Sequence, residues 1–226
     1  MTSLQLQIED KSSQTSATID VSTLVIAGWA GRDRAAIEHH IEELAALGVP
    51  RPAQIPTYYR AAAARLTTSG YIEVVGEDSS GEVEPVIIAS GGKMYVGIGS
   101  DHTDRKLETH GITLSKQICE KPISSTVWPF EEVENHWDSL VLRSYAIIDG
   151  KRELYQDGTT AALLPPLETI KGFADSGRLA DGTVMFGGTI PAIGGIRPGT
   201  RFEAELHDPV LGRTIKFAYD VKTLQA

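Results

Sequence analysis

The chain has almost no cysteine and no long apolar run, and each absence limits where it can work. Among its 226 residues Cys119 is the single cysteine, so no internal disulfide can form and a reducing cytoplasm is the expected location. No apolar run reaches the roughly 20 residues needed to span a bilayer, so no membrane partner is expected. The first residues, Met1 to Leu4, lack the basic and then apolar pattern of a signal peptide.

Positive charge is also scarce. The chain carries 21 Lys and Arg against 30 Asp and Glu, a net charge of −9, and has no dense basic run. Nucleic-acid binding depends on neutralising phosphates, so no nucleic-acid partner is expected. The length fits one large domain, or a domain with a short N-terminal extension. An acidic protein that binds a small anionic molecule needs local positive charge, from a metal ion or a few placed Arg and Lys.

Alternating apolar residues predict that most of the chain is β-strand. Strand patterns occur at Leu4 to Ile8, Ala17 to Val21, Thr23 to Trp29, Gly182 to Phe186, Phe202 to Leu206 and Thr214 to Val221. A helix is predicted from the N-cap residue Asp33 to about Leu47. Residues 55–60 are predicted to form a loop, with short helices near 61–66 and 167–173. The pattern is typical of a β-rich α+β fold with a small N-terminal α/β portion.

The most informative pattern is a β-hairpin that gathers acidic residues. Gly91-Gly92 is a strong two-residue turn signal, and a turn there pairs Glu84 with Gly99 and Glu82 with Asp101. Glu82 and Glu84 are two residues apart, so on a strand their side chains point to one face. Three like charges on one face repel, and a hard divalent cation with oxygen ligands is the simplest group that offsets them.

The neighbours of these carboxylates suggest further expectations. The small residues Gly97 and Gly99 are expected to leave room above the carboxylates. His102 is expected to point to the opposite strand face and to make a structural hydrogen bond, and Cys119 is expected to be inert. An E-x-E pair also occurs on solvated strands that bind nothing, and the residues alone leave that alternative open.

Several segments, taken in order, carry a resemblance to a known family. Glu82-Val83-Glu84 resembles an E-x-E metal motif, and Ser115-Lys116-Gln117 resembles a segment that carries an active-site lysine. Further similar segments lie at Gly99 to Arg105, Tyr155 to Thr160, Phe186 to Pro191 and Ile196 to Glu205. Together they resemble the fumarylacetoacetate hydrolase superfamily, within a small bacterial, DUF2848-like branch of unknown function. The resemblance covers roughly Pro50 to Val221.

The resemblance implies an architecture and an assembly. It implies a fumarylacetoacetate hydrolase-like mixed β-roll or sandwich. Residues 1–50 would form an N-terminal strand-helix portion and residues 51–226 the catalytic domain, within one compact unit. It also implies a homodimer. The C-terminal part of the chain is predicted to be rich in β-strands, and exposed sheet edges there would need to be covered, which agrees with a dimer.

The resemblance implies roles for individual residues as well. Glu82, Glu84 and Asp101 would hold Mg²⁺ or Mn²⁺, with Ca²⁺ as an alternative. The implied catalytic residues are Lys116, as a donor to an oxyanion or as an acid or base if burial lowers its pKa, and Thr189, as a donor to a substrate carboxylate. The implied substrate-binding residues are Arg105, Gln156, Tyr59 and Arg60. For each of these residues a non-catalytic alternative stays open. Lys116 would be an ordinary surface lysine, Thr189 would follow a strand-end turn that needs glycine, and Arg105 would pair with Asp101 or Asp104. Gln156 would lie in a solvated loop, and Tyr59 and Arg60 would only pack against their neighbours.

One departure from the family pattern bears on the reaction. Hydrolytic members carry a His-Glu pair just ahead of the E-x-E motif, but no histidine lies between Tyr58 and Glu82. His40, on the predicted helix, is the remaining candidate for the base. The first hypothesis is a divalent-metal-dependent hydrolase acting on a 2-oxo, 1,3-dicarbonyl or related enolisable carboxylic acid. The alternatives are a hydratase, tautomerase or decarboxylase of the same superfamily, and a non-catalytic binding module stabilised by a cation.

Overall fold

Two large β-sheets, two two-stranded sheets and a few short helices make up the fold in the described residues. The computed structural model describes residues 1–46 and 51–224, except the side chains of His40, Glu43, Leu44 and Ala46. The strands are β1 (Thr2–Glu9), β2 (Gln14–Val21), β3 (Thr23–Gly28), β4 (Thr57–Ala61), β5 (Leu66–Thr67), β6 (Tyr71–Val75), β7 (Ser79–Ser80), β8 (Val83–Ser90), β9 (Lys93–Ser100), β10 (Thr103–Asp104), β11 (Lys121–Pro122), β12 (Thr126–Pro129), β13 (Val141–Ile148), β14 (Lys151–Thr159), β15 (Thr183–Phe186), β16 (Arg201–Asp208) and β17 (Arg213–Leu224). The α-helices are α1 (Arg34–Ala46), α2 (Arg105–Glu108), α3 (Ile112–Ile118) and α4 (Pro166–Phe173).

The larger sheet has eight strands in the order β2-β1-β12-β9-β8-β15-β3-β4. The second large sheet has five strands in the order β14-β13-β16-β17-β6, and the two-stranded sheets pair β7 with β10 and β5 with β11. One apolar cluster lies between the sheets and includes Ile87 and Met185 from the first and Leu142 and Leu206 from the second. A second cluster, with Val86 and others, lies on the opposite face of the eight-stranded sheet, which curls around it. The predicted β-rich α+β fold is confirmed.

The predicted hairpin is confirmed with its register. β8 and β9 pair antiparallel, with Ser90 opposite Lys93 and Glu84 opposite Gly99. Gly91 and Gly92 form the turn with φ values of 60° and 71°, which glycine adopts without strain and which match the twist of a hairpin. The predicted strand pair near the C-terminus is also present, as the antiparallel strands β16 and β17.

The predicted N-terminal helix is α1. The Asp33 carboxylate accepts hydrogen bonds from the backbone N–H groups of Ala35 at 3.0 Å and Ala36 at 3.1 Å, so it caps the helix as expected. The predicted end near Leu47 lies outside the described residues, as does the side chain of His40. Among the described helices, none is both long and apolar enough to cross a membrane.

Residues 55–66 differ from the prediction. The predicted loop contains strand β4, which pairs antiparallel with β3 and places Tyr59 opposite Ile26. Its sequence does not alternate, and the strand forms because a distant strand offers a free edge. The predicted helix at 61–66 is a single 3₁₀ turn, Ala63–Arg65, because Leu66 becomes extended to pair with Lys121.

Helix α3 is absent from the sequence-based prediction, and its burial pattern explains why. The helix exposes its large apolar side chains, with Leu114 55% and Ile118 40% exposed. It buries Ser115 and Lys116 instead. A helix is recognised in a sequence by an apolar stripe, and α3 has a polar buried face that the usual pattern does not detect.

Candidate active site

Three carboxylates meet at the open end of the β8–β9 hairpin. Glu82 precedes β8, Glu84 lies within it, and Asp101 follows β9. The backbone N–H of Asp101 donates to the Glu82 carbonyl oxygen at 3.0 Å, which continues the ladder one step beyond both strands. Each carboxylate contributes an oxygen, and these oxygens lie within 4.8 Å of one another. The prediction that the three residues come together is confirmed.

Gly97 and Gly99 have a different role from the one predicted. A Cβ at Gly99 would lie 2.7 Å from the Phe186 ring and 2.8 Å from Val86. A Cβ at Gly97 would lie 3.0 Å from Ser124 Oγ. The expectation that these glycines leave room above the carboxylates was wrong, because neighbouring side chains fill the space. The glycines allow close packing beneath the site.

Glu84 is the more buried of the two glutamates, with 3% of its surface exposed. Burial raises its pKa well above the usual value, and the nearby charges of Asp101 and Glu82 add to the effect. The backbone N–H of Gly188 donates to Glu84 Oε2 at 2.8 Å. Gly188 has a φ of 92°, so a glycine is needed for the backbone to approach the carboxylate in this way.

Asp101 is fully buried between two lysines. Lys116 Nζ donates to Asp101 Oδ2, and Lys121 Nζ lies 3.4 Å from Asp101 Oδ1. Burial alone would raise the pKa of Asp101, but Lys116 and Lys121 outweigh it and hold this pKa below its usual value. Lys121 is itself fully buried and donates to the His102 carbonyl oxygen at 2.6 Å. The residues alone had not indicated Lys121, because a lysine seldom has no exposed surface.

Lys116 lies on the buried face of α3, at 6% exposure. Burial opposes its charge, but Asp101 and Glu82 raise its pKa above the usual value. Burial does not lower the pKa of Lys116 here and the surface alternative was wrong, while its predicted catalytic role stays a prediction. The side chain is held as a cation beside the carboxylates.

Arg105 is engaged by the protein. Its guanidinium lies 3.1 Å from Glu82, donates to Glu108 at 3.0 Å, and donates from Nε to Ser80 Oγ at 2.7 Å. Pairing with Asp104 is wrong, because that carboxylate caps α2 by accepting from Leu107 N at 2.9 Å. Arg105 Nη2 has no hydrogen-bond partner among the described residues, and the predicted clamp on a substrate carboxylate stays a prediction. The contact with Glu82 orients that carboxylate.

Gln156 joins three parts of the chain. Its Oε1 accepts from Val83 N and Ser144 Oγ, each at 2.9 Å, while its Nε2 donates to Thr189 Oγ1 at 2.8 Å and to the Ile190 carbonyl oxygen at 2.6 Å. These four bonds use both donors and both acceptors of the amide. The prediction of Gln156 as a substrate contact was wrong, because the side chain has no hydrogen-bonding capacity left.

Thr189 lies next to this network and is partly exposed. Its hydroxyl donates to the Val83 carbonyl oxygen at 2.8 Å. The hydroxyl therefore attaches the segment after β15 to the start of β8, between the two glutamates. Donation from this hydroxyl to a substrate would require that bond to break, so the predicted role of Thr189 stays a prediction.

The side chains of Tyr59 and Arg60 point to opposite faces of the sheet, because they are consecutive residues of β4. The Tyr59 ring lies on the face of the sheet that carries Glu84, and its centroid is 5.8 Å from Lys116 Nζ. Arg60 is exposed and its neighbour across the ladder is Val25, a residue of the cluster between the sheets. The expectation that both residues close over one pocket was wrong for Arg60, because consecutive strand residues face opposite sides.

His102 and Cys119 are as expected from the sequence. His102 is buried, with Nδ1 2.9 Å from Tyr219 Oη and Nε2 2.9 Å from Ser79 Oγ. Burial lowers the pKa of His102 to about 3 and raises the pKa of Cys119 to about 11. A neutral histidine with both nitrogens engaged is structural, and a protonated thiol is a weak nucleophile.

The carboxylate cluster fits a hard divalent cation. All of its donors are carboxylate oxygens, which Mg²⁺, Mn²⁺ and Ca²⁺ prefer. Asp101 Oδ1 is buried without a hydrogen-bond partner among the residues the structure describes. A cation would satisfy this oxygen and offset the repulsion from Asp101 and Glu82, which adds to the effect of burial in raising the pKa of Glu84. The residues that would hold it are Glu82, Glu84 and Asp101.

The fold is that of the fumarylacetoacetate hydrolase superfamily, as comparison with solved structures shows. A proposed fumarylacetoacetate isomerase/hydrolase from Oleispira antarctica is 18% identical, with a TM-score of 0.65 over 97% of this chain and 99% of that one. The yeast protein ynq8, of the same family, is 18% identical, with a TM-score of 0.62 over 91% and 95%. A 2-keto-3-deoxy-D-arabinonate dehydratase, complexed with magnesium and 2,5-dioxopentanoate, is 17% identical, with a TM-score of 0.66 over 95% and 78%.

The chain belongs to the family described as "Protein of unknown function (DUF2848)", which matches residues 27–219. A comparison with curated proteins found no match. The matched segment contains every candidate site residue from Tyr59 to Thr189. At 17–19% identity the solved structures establish the fold, and the reaction has to be argued from the site.

Proposed function

We propose that this chain is a divalent-cation-dependent enzyme that acts on a small 2-oxo, 1,3-dicarbonyl or related enolisable carboxylic acid. The observation that carries the proposal is the buried cluster of Glu82, Glu84 and Asp101 with the Lys116 ammonium beside it. When bound, a divalent cation supplies a Lewis acid and a template for a 2-oxo carboxylate. We propose Mg²⁺ or Mn²⁺ as that cation and hydrolysis as the first reaction to test.

The protein's own side chains divide the remaining tasks. Lys116 offers a buried ammonium as a hydrogen-bond donor to the oxyanion that develops when the substrate enolises. Arg105 holds Glu82 in place. Gln156 fixes the start of β8 against the segment that contains Thr189 and Gly188, so the ligand carboxylates keep their positions. A site organised in this way needs little rearrangement as charge develops on the substrate.

A second candidate is a non-hydrolytic reaction of the same enolate, such as dehydration, tautomerisation or decarboxylation. The observation that favours it is the state of His102, the histidine adjacent to the cluster, which is buried, neutral and bonded on both nitrogens. Hydrolysis needs a base that activates water. His40 remains the proposed base for that reaction, and its side chain lies outside the described residues.

The first test is the double substitution Glu82→Gln and Glu84→Gln. We expect it to abolish both Mg²⁺ or Mn²⁺ binding, measured by calorimetry, and turnover of a panel of 2-oxo acids. The matched control is Glu131→Gln with Glu134→Gln, because both residues are exposed and neither belongs to the three-carboxylate cluster. Circular dichroism checks that each variant folds. Unchanged metal affinity in the first variant would contradict the proposal.

The second test separates the two reaction classes by running the same panel in ¹⁸O-labelled water. Hydrolysis places the label in a newly formed carboxylate, whereas decarboxylation and dehydration form no labelled carboxylate. A non-catalytic binding module is the third possibility from the sequence. It would bind the metal and gain thermal stability from it without turning over any member of the panel.

A further inference from the structure

Glu82 and Asp101 face each other in a gap between two antiparallel ladders. The ladder of β8 with β9 lies on one side of the gap, and the ladder of β7 with β10 lies on the other. Within the gap the Asp101 N–H donates to the Glu82 carbonyl oxygen at 3.0 Å. In a regular antiparallel pair the Glu82 N–H would return such a bond to Asp101. It donates instead to the Ser100 hydroxyl at 3.2 Å, so a side chain takes the place of a backbone bond between two of the three carboxylates.

The hydroxyl of Tyr219 bridges the residues on either side of Asp101. Tyr219 lies on β17, in the five-stranded sheet, and donates to Ser100 Oγ at 2.8 Å. The same hydroxyl oxygen lies 2.9 Å from His102 Nδ1, and His102 Nε2 lies 2.9 Å from Ser79 Oγ. Because Tyr219 gives its one hydrogen to Ser100, the neutral His102 ring has to donate from Nδ1 and accept at Nε2. Every polar atom of this bridge therefore has a partner.

The alternation of an extended chain explains how this bridge orients Asp101. Ser100 and His102 flank Asp101, so their side chains point to the face opposite to its carboxylate. That face is packed between the two large sheets, where Tyr219 belongs to the apolar cluster. Ser100 and Tyr219 have no exposed surface, and His102 has 1%. Holding both flanking residues in the core leaves the Asp101 carboxylate the face that carries the other two carboxylates.

The lysines and the tyrosine act on different parts of Asp101. Lys116 and Lys121 contact the carboxylate oxygens and stabilise their charge. Tyr219 contacts the neighbouring residues and so fixes the backbone that carries the side chain. A phenylalanine at this position would fill the same space without a polar atom that needs partners in the core. The hydroxyl therefore does more than pack, and its two partners place that effect at Asp101.

We propose that Tyr219 is a positioning residue for the divalent cation. Its hydroxyl fixes the backbone of Asp101 through Ser100 and His102, and it reaches the Glu82 N–H through Ser100 alone. Two of the three carboxylates are thereby held in place before a cation binds, which is how groups behind a metal ligand raise its affinity. This inference rests on the proposed function, since it needs a cation at the carboxylate cluster.

Tyr219→Phe tests the inference, because it removes the hydroxyl and keeps the ring. We expect the Kd values for MgCl₂ and MnCl₂, measured by calorimetry, to rise about 10–100-fold, the usual effect of removing a group that orients a metal ligand. Tm without metal should fall by about 2–12 °C, because His102 Nδ1 loses its acceptor inside the core. Ser100→Ala removes the acceptor of both Tyr219 and the Glu82 N–H, so it should raise the same Kd values.

Tyr155→Phe is the matched control. Tyr155 is also buried between the two large sheets, at 1% exposure, and its ring contacts Phe202 as the Tyr219 ring does. Its hydroxyl accepts from the Arg197 backbone N–H at 3.1 Å, and neither residue belongs to the carboxylate cluster. This variant should lower Tm by a similar amount and leave both Kd values within about twofold. A rise in Kd equal to that of Tyr219→Phe would attribute the effect to lost stability and overturn the inference.

A double-mutant cycle tests the route through Ser100. If Tyr219 acts on the carboxylates through Ser100, Tyr219→Phe combined with Ser100→Ala should raise Kd by less than the product of the two single changes. A rise equal to that product would mean that the two residues act independently, and it would contradict the inference. Circular dichroism checks that each variant folds. If Tyr219→Phe does not fold, Ser100→Ala alone decides, and an unchanged Kd in that variant would contradict the inference.

Metal binding by the unaltered protein distinguishes failure of the proposed function from failure of this inference. If the unaltered protein binds neither MgCl₂ nor MnCl₂, the proposed function is wrong and the inference fails with it. If it binds either salt, and Tyr219→Phe leaves Kd within about twofold, the inference is wrong while the proposed function stands. A loss of Tm with an unchanged Kd would assign the Tyr219 hydroxyl a purely structural role and overturn the inference in the same way.

Discussion

Replacing Gly188 with alanine tests whether one backbone N–H positions Glu84. Gly188 has a φ of 92°, where an L-residue is strained by about 1–2 kcal/mol. The new Cβ would also lie 2.8 Å from Ala30 Cβ, and overpacking of this kind costs about 1–3 kcal/mol. We expect a total destabilisation of about 3 kcal/mol, which for a chain of this length lowers Tm by about 6–12 °C.

The clash with Ala30 should move the Gly188 backbone away from Glu84. The hydrogen bond at 2.8 Å from Gly188 N to Glu84 Oε2 involves a charged acceptor when Glu84 is ionised, and such bonds contribute about 1.5–3 kcal/mol. A carboxylate that has lost this bond is less well oriented. We therefore expect the Kd for Mg²⁺ to rise by about tenfold, which corresponds to about 1.4 kcal/mol.

Gly195→Ala is the matched control. Gly195 has a φ of 85°, and a Cβ there would meet nothing within 4 Å, so this variant measures the backbone strain alone. It should lower Tm by about 2–8 °C and leave metal affinity unchanged. Tm is measured by calorimetry without metal, and Kd by titration. Equal losses of Tm for the two variants, with equal metal affinity, would refute the argument that Gly188 positions Glu84.

Three further predictions follow from the described contacts. Lys121→Met should destabilise the fold by about 3 kcal/mol in urea titrations, because it leaves the buried Asp101 with one cation fewer; a loss below about 1 kcal/mol would contradict this. Burial would raise the pKa of Asp208, but hydrogen bonds from the Leu211 N–H and His136 outweigh it and hold this pKa below its usual value. The Asp208 carboxylate should therefore add its full contribution to the free energy of unfolding above the pKa of the unfolded state, and this contribution should be lost as the pH falls through the pKa of the folded state. Asp208→Asn should remove that part of the acid dependence of stability. We also expect a homodimer in sedimentation velocity, because edge strand β6 pairs on one side only with β17, and a monomer at micromolar concentration would oppose this.

Much of the β-structure followed from local patterns. The alternation at Phe202 to Leu206 and the Gly91-Gly92 turn predicted strands and a register that the structure has. Prediction failed where local pattern and burial disagree. Helix α3 buries Ser115 and Lys116 and exposes Leu114, and β4 forms because β3 offers it an edge. Neither feature leaves a periodic signal in its own residues.

The same distinction between local patterns and long-range contacts applies to the candidate site. The grouping of Glu82, Glu84 and Asp101 was predictable from strand alternation and the position of the turn, whereas the contacts of single polar side chains were not. Gln156 matched a family segment, yet the structure uses both donors and both acceptors of its amide on protein partners. Hydrogen-bond saturation depends on which distant groups arrive at a side chain, and no spacing within the segment encodes it.

The sequence by itself determined that Glu82, Glu84 and Asp101 share one face, because a two-residue turn and strand alternation are local and leave a single register. Only the tertiary structure decided what surrounds those carboxylates. Lys116 and Lys121 reach Asp101 from two separate elements, α3 and β11, that packing brings together. The charge balance of the site and the orientation of its carboxylates depend on those long-range contacts.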